Sequence, residues 1–126
     1  MSRTKIVIYY WLPVIIWAGV IFYFSSIPNL QIEEFGIWDT IFRKIAHATE
    51  YGVLVWLTLR LGLRQEKKKI ATLVIVLVFC VLYAWSDEWH QSFVEGRVFS
   101  VWDITIDSLG ATALGLIYFR NKKQLK

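Results

Sequence analysis

The chain has 126 residues, of which 56% are hydrophobic, 17% aromatic and 19% charged. Its length accommodates four apolar spans of about 20 residues each and leaves no room for a separate soluble domain. The net charge of +4 does not indicate nucleic-acid binding, because the basic residues flank the apolar spans, where they anchor a chain against anionic lipid. The single cysteine, Cys80, excludes an intrachain disulfide. We predict one integral membrane domain over residues 1–126.

The first predicted helix covers residues 6–24 and follows two basic residues, Arg3 and Lys5. A basic start and an apolar run also describe a secretory signal. This run is too long for the hydrophobic region of a signal, and no clear small-x-small cleavage site follows it. We therefore predict a retained helix, in which Pro13 is tolerated because few backbone donors are lost in the first turns.

The second predicted helix covers residues 40–63 and carries a polar stripe towards its N-terminal end. Spacings of three, four and seven residues place these side chains on one helical face. The stripe consists of Arg43, Lys44, His47, Glu50 and Tyr51. Glu50 falls within the apolar slab, where an ionised group costs about 2.5–3.5 kcal/mol on insertion. Packing helices together does not require that cost, so we expect Glu50 to face a polar interior.

The third predicted helix covers residues 70–91 and changes from apolar to polar after Trp85. Its polar end contains Asp87, Glu88, His90 and Gln91. Continued helix places Glu88 at the border of one face and the other three side chains within that face. The loop that follows contributes Arg97 and a tight turn at Gly96.

The fourth predicted helix covers residues 103–119. Asp103 and Asp107 are four residues apart and therefore share a face. Beside them, Ala111 and Gly115 form a small-xxx-small pair that lets a neighbouring helix approach closely. We expect the ionisable groups of the second, third and fourth helices to meet in one polar cavity.

The charges that flank the apolar spans alternate along the chain. The residues before the first span, between the second and third spans and after the fourth span are mostly basic. Every acid except Glu66 lies between the first and second spans, between the third and fourth spans, or in the helix ends that adjoin these two segments. By the positive-inside rule, both termini and the turn at residues 63–70 are cytoplasmic. The sequence thus predicts an all-α, four-helix transmembrane bundle whose polar cavity opens at the outer face of the membrane.

Two interpretations of the polar groups need no metal. The first is a structural network, in which Lys44 and Arg97 neutralise the acids and the network specifies how the helices pack. The second is a site that binds or transforms a polar headgroup. In that site His47 would act as a general acid or base, and Glu50 or Glu88 would adjust the proton affinity of its imidazole. Lys44 and Arg97 would then hold an anionic phosphate or carboxylate.

A third interpretation is a divalent metal site. Its ligands would be His47, Glu50, Asp103 and either Asp87 or Glu88. The spacing of three residues between His47 and Glu50 suits two ligands on one helical face, although two such residues are weak evidence by themselves. No serine or cysteine nucleophile motif and no phosphate-binding glycine loop is present in the sequence. We expect no resident cofactor, with a divalent metal as the alternative.

The candidate site residues fall into two groups. Those with potential catalytic roles are His47, Glu50, Glu88 and Asp103. Those with potential substrate-binding roles are Lys44, Tyr51, Asp87, His90, Gln91, Arg97 and Asp107.

Three motifs carry a resemblance to a known family. They read K-x-x-H-x-x-E-Y from Lys44, S-D-E-x-H-Q-x-F-x-x-G-R from Ser86 and D-x-x-x-D-x-x-G from Asp103. Together they resemble the VanZ-like family of small bacterial membrane proteins, and the resemblance extends from the first helix to the last. The chain departs from the family pattern in two places: it has Glu95 where the family usually has Pro, and Asp107 where Asn is frequent.

The resemblance implies a multi-pass protein of the bacterial cytoplasmic membrane and cell envelope. The family's namesake is associated with resistance to teicoplanin, a glycopeptide antibiotic, but the resemblance implies no particular reaction. We expect the outer site to bind or modify a membrane lipid headgroup or a lipid-linked envelope substrate. The alternative is a non-catalytic scaffold that binds a second copy of the chain or another envelope protein.

Overall fold

The computed structural model describes residues 1–28, 36–65 and 69–124. Four long helices account for most of these residues: α1 (Arg3–Ser25), α2 (Ile37–Gln65), α3 (Lys69–Gln91) and α4 (Val101–Gln124). The described residues contain no strand, so the all-helical prediction is confirmed. Each helix includes the range predicted from the sequence and extends beyond it at one or both ends. The turn at residues 66–68, on which the predicted topology partly rests, lies outside the described residues.

Helix α1 contains one wider, π-helical turn at Val7–Trp11. In this turn the N–H of Leu12 donates to the carbonyl of Val7, five residues earlier. Pro13 follows immediately and has no N–H to donate to the carbonyl of Tyr9, four residues before it. A π turn beside a proline is a common way for a helix to continue past a missing donor. The structure therefore accommodates Pro13 within α1 rather than ending the helix there.

The closest helix pair is α2 and α4, whose contact is the most extensive in the described chain. Glycines of α4 make this approach possible. A Cβ atom on Gly110 would lie 2.9 Å from the Cβ of Ala48, and one on Gly115 would lie 2.7 Å from Cγ1 of Val55. Both distances are shorter than van der Waals contact, so α4 needs glycine at these positions to pack on α2.

A buried apolar core joins α1, α2 and α3, and Ala111 adds a contribution from α4. Its most buried side chains are Ile21, Tyr51, Leu54, Val55, Leu59 and Cys80. Large apolar side chains also cover the opposite faces of the helices, where Ile75 and Leu82 of α3 are 67% and 61% exposed. Apolar surface of this extent marks a face that meets lipid or a partner rather than water.

Helices α1 and α3 are each 23 residues long and apolar enough to cross a membrane, by length and composition. A span requires about 20 apolar residues. Helices α2 and α4 are longer still, at 29 and 24 residues. Their composition is less apolar because they carry most of the ionisable side chains described below.

Candidate functional site

A cavity of about 210 Å³ lies where the polar segments of α2, α3 and α4 meet the loop between α3 and α4. It is lined by Thr40, Arg43, Lys44, His47, Glu88, Gln91, Arg97, Asp103, Ile106 and Asp107. Most of these residues are candidates named from the sequence. Glu50, Tyr51, Asp87 and His90 are candidates that do not line the cavity. Thr40 and Ile106 line it without having been singled out, although Thr40 precedes Lys44 and His47 by four and seven residues and so shares their helical face.

Two of the cations that line the cavity are held by carboxylates. Lys44 of α2 forms an ion pair with Asp103 of α4, and Arg43 pairs with Asp39 one turn earlier in α2. The Lys44 and Asp103 side chains are 41% and 38% exposed, so this pair contributes only about 0–1 kcal/mol to stability. Its main consequence is that Lys44, which we expected to bind an anion, has its charge balanced by the protein.

Arg97 is held differently from the other cations. Its Nε donates a hydrogen bond to the carbonyl of Ile27 at 3.0 Å, which ties the loop after α3 to the end of α1. No carboxylate among the described residues lies within ion-pair distance of its guanidinium. The side chain is half-buried at the cavity wall. Arg97 is thus fixed in place, and no carboxylate of the described chain balances its charge.

Glu88 links the end of α3 to the start of α4. Its Oε1 accepts a hydrogen bond from the backbone N–H of Ser100 at 2.8 Å, and the residue is 3% exposed. Ser100 in turn accepts the N–H of Asp103 on its side-chain oxygen at 3.3 Å, as expected of a helix N-cap. The cap explains why α4 begins at Val101, two residues before the predicted start. Ser-x-x-Asp ahead of an apolar run is the sequence signal that could have indicated it.

Asp107 is a buried acid whose carboxylate has no hydrogen-bond donor among the described residues. It is 4% exposed, and its Oδ1 is fully enclosed. The carboxylates of Asp103, Asp87 and Glu88 interact with it electrostatically. Buried polar atoms are rarely left without a partner in folded proteins. An orphaned carboxylate oxygen in a cavity wall is therefore a marker of a binding site.

Asp87 and Tyr51 form a separate buried network beside the cavity. The Tyr51 hydroxyl donates to Oδ2 of Asp87 at 3.1 Å, and Nε2 of Gln91 donates to the same oxygen at 3.2 Å. Tyr51 is 0% exposed, so it cannot contact a ligand in this conformation. Of these three candidate binding residues, Gln91 alone reaches the cavity. The network connects α2 to α3 and positions Gln91.

His47 and Glu50 lie side by side on α2. Nδ1 of His47 is 3.7 Å from Oε2 of Glu50, which is beyond hydrogen-bond distance but close enough for an ion pair when the imidazole is protonated. The backbone carbonyl of Glu50 accepts a hydrogen bond from Nε1 of Trp17 at 2.9 Å, which joins α1 to α2. His47 lines the cavity and Glu50 stands behind it. This arrangement places an imidazole, a group that can accept or donate a proton, in the cavity wall with a carboxyl group beside it.

His90 faces α1 instead of the cavity. Its ring stacks on Phe22 with 4.2 Å between the ring centres, and its Nδ1 lies 3.4 Å from Oγ of Ser25. These contacts make His90 part of the packing between α3 and α1. His90 is not among the residues that line the cavity, and its substrate-binding role stays a prediction.

The candidate metal ligands are not gathered around one point. Among the residues that the structure describes, no group of three or more His, Cys, Asp and Glu side chains is arranged to hold a metal ion. Asp103 pairs with Lys44, and Glu88 accepts a backbone N–H. The described lining thus offers an imidazole, cations and carboxylates to a ligand.

Comparison with known proteins bears on the whole chain. The sequence model of the VanZ/LLP1 family matches residues 10–122, a range that includes every residue lining the cavity. No curated protein and no solved structure gave a match. The apolar helices α1 and α3 and the family match together indicate a membrane protein. The chain belongs to the VanZ-like family.

Proposed function

We propose that this chain is a multi-pass protein of the bacterial cytoplasmic membrane, in which all four helices cross the bilayer as a bundle. Each helix is long enough for a span, including α2 and α4. The acids and cations of α2 and α4 that line the cavity face other protein groups there. Mutual pairing within a bundle reduces the cost of placing such groups at membrane depth.

The proposed topology has both termini in the cytoplasm and the cavity open to the outside. Its main support is the alternation of basic and acidic flanks. A second support is that the guanidinium groups of Arg60 and Arg64 lie 4.8 and 4.6 Å from the ring centre of Tyr10 in α1. The basic end of α2 therefore packs beside the N-terminal part of α1, which is the arrangement expected if both lie near the cytoplasmic surface.

We further propose that the cavity binds or modifies a lipid headgroup or a lipid-linked envelope group, and that this activity lowers sensitivity to glycopeptides such as teicoplanin. The observation that carries the proposal is the combination, in one cavity, of His47, Arg97 and the orphaned Asp107. A cavity of about 210 Å³ is smaller than the roughly 300–1,000 Å³ of sites for drug-sized ligands. It therefore suits a headgroup and not an intact glycan.

The test is resistance in cells that express the protein. We expect His47→Ala, Glu88→Ala and Arg97→Ala each to reduce the inhibitory concentration of teicoplanin to that of cells with an empty vector. The variants should remain abundant and membrane-inserted by immunoblot. Arg120→Ala is the matched control, because Arg120 is an exposed cation near the far end of α4. Unchanged resistance in all three cavity variants would reject the proposal.

A non-catalytic scaffold is the second candidate. The observation that favours it is that much of the polar cluster is satisfied internally, through the Lys44–Asp103 pair and the hydrogen bonds on Asp87. It makes the opposite prediction in the same assay. Trp56→Ala, which alters a 42% exposed apolar position, should then reduce resistance more than His47→Ala does.

A further inference from the structure

The described charged groups that line the cavity differ in whether another protein group pairs with them. Arg43 and Lys44 have carboxylate partners, and Asp103 is the partner of Lys44. Glu88 accepts a backbone N–H at 2.8 Å. Among the described lining residues, one cation then has no carboxylate partner, and one carboxylate has neither a cation nor a hydrogen-bond donor.

The two remaining groups are Arg97 and Asp107, and they do not form an ion pair with each other. The guanidinium of Arg97 has one acceptor among the described residues, the carbonyl of Ile27. Asp107 has no donor within the described chain. A site that offers an unpaired cation and a carboxylate without donors is complementary to a ligand that carries both a negative and a positive charge.

The chemistry of the two groups specifies what each would bind. A guanidinium binds phosphate or carboxylate through parallel N–H donors. A buried carboxylate needs N–H or O–H donors, and a primary ammonium group supplies three of them together with the opposite charge. Asp107 is 4% exposed, whereas Arg97 is half-buried. The cationic end of the ligand would therefore lie deeper than the anionic end.

The lining also distinguishes a primary ammonium from a quaternary one. Among the described residues that line the cavity there is no Trp, Tyr or Phe, and quaternary ammonium groups are recognised chiefly by aromatic faces. A trimethylated nitrogen has no N–H to donate to Asp107. The described lining thus lacks the aromatic face that a choline group needs. It provides the carboxylate acceptor that the primary ammonium of an ethanolamine group needs.

We propose that the cavity binds a small zwitterion of the phosphoethanolamine type, with its primary ammonium on Asp107 and its phosphate on Arg97. The inference rests on the proposed function and deepens it, because it names the substrate class of the same site. The group could belong to a phospholipid or be free in solution, since the chemistry that recognises it is the same.

Binding to the purified full-length protein tests the inference. Phosphoethanolamine, phosphocholine, glycerol phosphate and ethanolamine are titrated by calorimetry, and nanodiscs that contain phosphatidylethanolamine or phosphatidylcholine are compared by native mass spectrometry. We expect the primary amine with a phosphate to bind at least about tenfold more tightly than any analogue that lacks either feature. Binding in both formats, or to the lipid alone, supports the inference and identifies the source of the group.

Two variants locate the ligand. Asp107→Asn and Arg97→Gln should each weaken binding about tenfold or more, while Glu95→Gln and Arg120→Gln, at exposed positions outside the cavity, should not.

Equal affinity for phosphocholine, or no binding in either format, would overturn the inference without depending on whether a variant folds. If His47→Ala and Arg97→Ala abolish resistance but the amine has no effect on binding, the inference fails and the proposed function stands. Amine-dependent binding with unchanged resistance in those variants would contradict the proposed function instead.

Discussion

Asp87 and Asp107 are both buried acids near the cavity, but they differ in how many donors the chain supplies. Oδ2 of Asp87 accepts hydrogen bonds from Tyr51 and Gln91. Its Oδ1 is buried without a partner, but the Asp107 carboxylate accepts no hydrogen bond at either oxygen from the described residues. The first pattern is that of a structural network, and the second is that of a group kept for a ligand. The two acids are the same residue type and are similarly buried. Their different roles therefore follow from their neighbours.

At this scale we predict that Tyr51→Phe destabilises the protein. The change removes the donor to a buried carboxylate, which costs about 1–3 kcal/mol, and it leaves the ring packing intact. The thermal midpoint of the detergent-solubilised protein should fall measurably. Tyr23→Phe is the control, because Tyr23 is 66% exposed. Equal midpoints for Tyr51→Phe and the unmodified protein would show that the hydrogen bond to Asp87 is not structural.

The helices depend on where glycine is placed as well as on where apolar residues are placed. Gly110 lies where α4 passes Ala48 of α2, and this crossing determines how close Lys44 and Asp103 can come. Gly19 of α1 lies in open space, with no atom within 4 Å of the position of an added Cβ. Two glycines within helices therefore have different consequences, and the difference is visible only in the packed structure.

We predict that Gly110→Leu separates α2 from α4. The added side chain meets Ala48, and overpacking of this kind typically costs about 1–3 kcal/mol. We expect a lower thermal midpoint and loss of the Lys44–Asp103 pair, whereas Gly19→Leu should have little effect on the midpoint. Ala48→Gly combined with Gly110→Leu should recover part of the loss. If both glycine substitutions have the same effect, the close crossing is not required for folding.

For the whole molecule, the distribution of charge along the sequence and the packing of the helices support the same orientation of the protein in the membrane. The cavity is formed where α2 begins, α3 ends and α4 begins. The stacked Arg60 and Arg64 lie towards the other end of α2. A bundle with most of its described acids at the cavity end and with Arg60 and Arg64 at the other is consistent with a single insertion orientation under the positive-inside rule.

Cysteine labelling tests this orientation, in a background in which Cys80→Ala removes the single native thiol. We expect Val98→Cys, at an 83% exposed position in the loop after α3, to react with a membrane-impermeant maleimide in intact protoplasts. Thr4→Cys, near the N-terminus, should react only after the membrane is permeabilised. Protection of Val98→Cys in intact protoplasts would place the cavity on the cytoplasmic side and contradict the proposed topology.

The helices and several of their shared faces could be predicted from the sequence, because these features depend on neighbours along the chain. Periodicity and polarity changes locate four helices, and spacings of three and four residues put Lys44 and His47 on one face of α2. The same local reasoning predicted that polar groups from three helices meet. It could not predict which of these residues line the cavity.

The tertiary structure decided which residues line the cavity. His90 and Gln91 are adjacent in α3, yet successive helical residues point about 100° apart, and α1 covers the first while the cavity receives the second. Glu50 is three residues from His47 but stands behind it, and Lys44 is balanced by an acid 59 residues away. Which helix covers which face depends on long-range packing, such as the contact between Gly110 and Ala48. Local sequence therefore determined which residues are polar and how they are spaced, whereas packing determined which of them remain unpaired and available to a ligand.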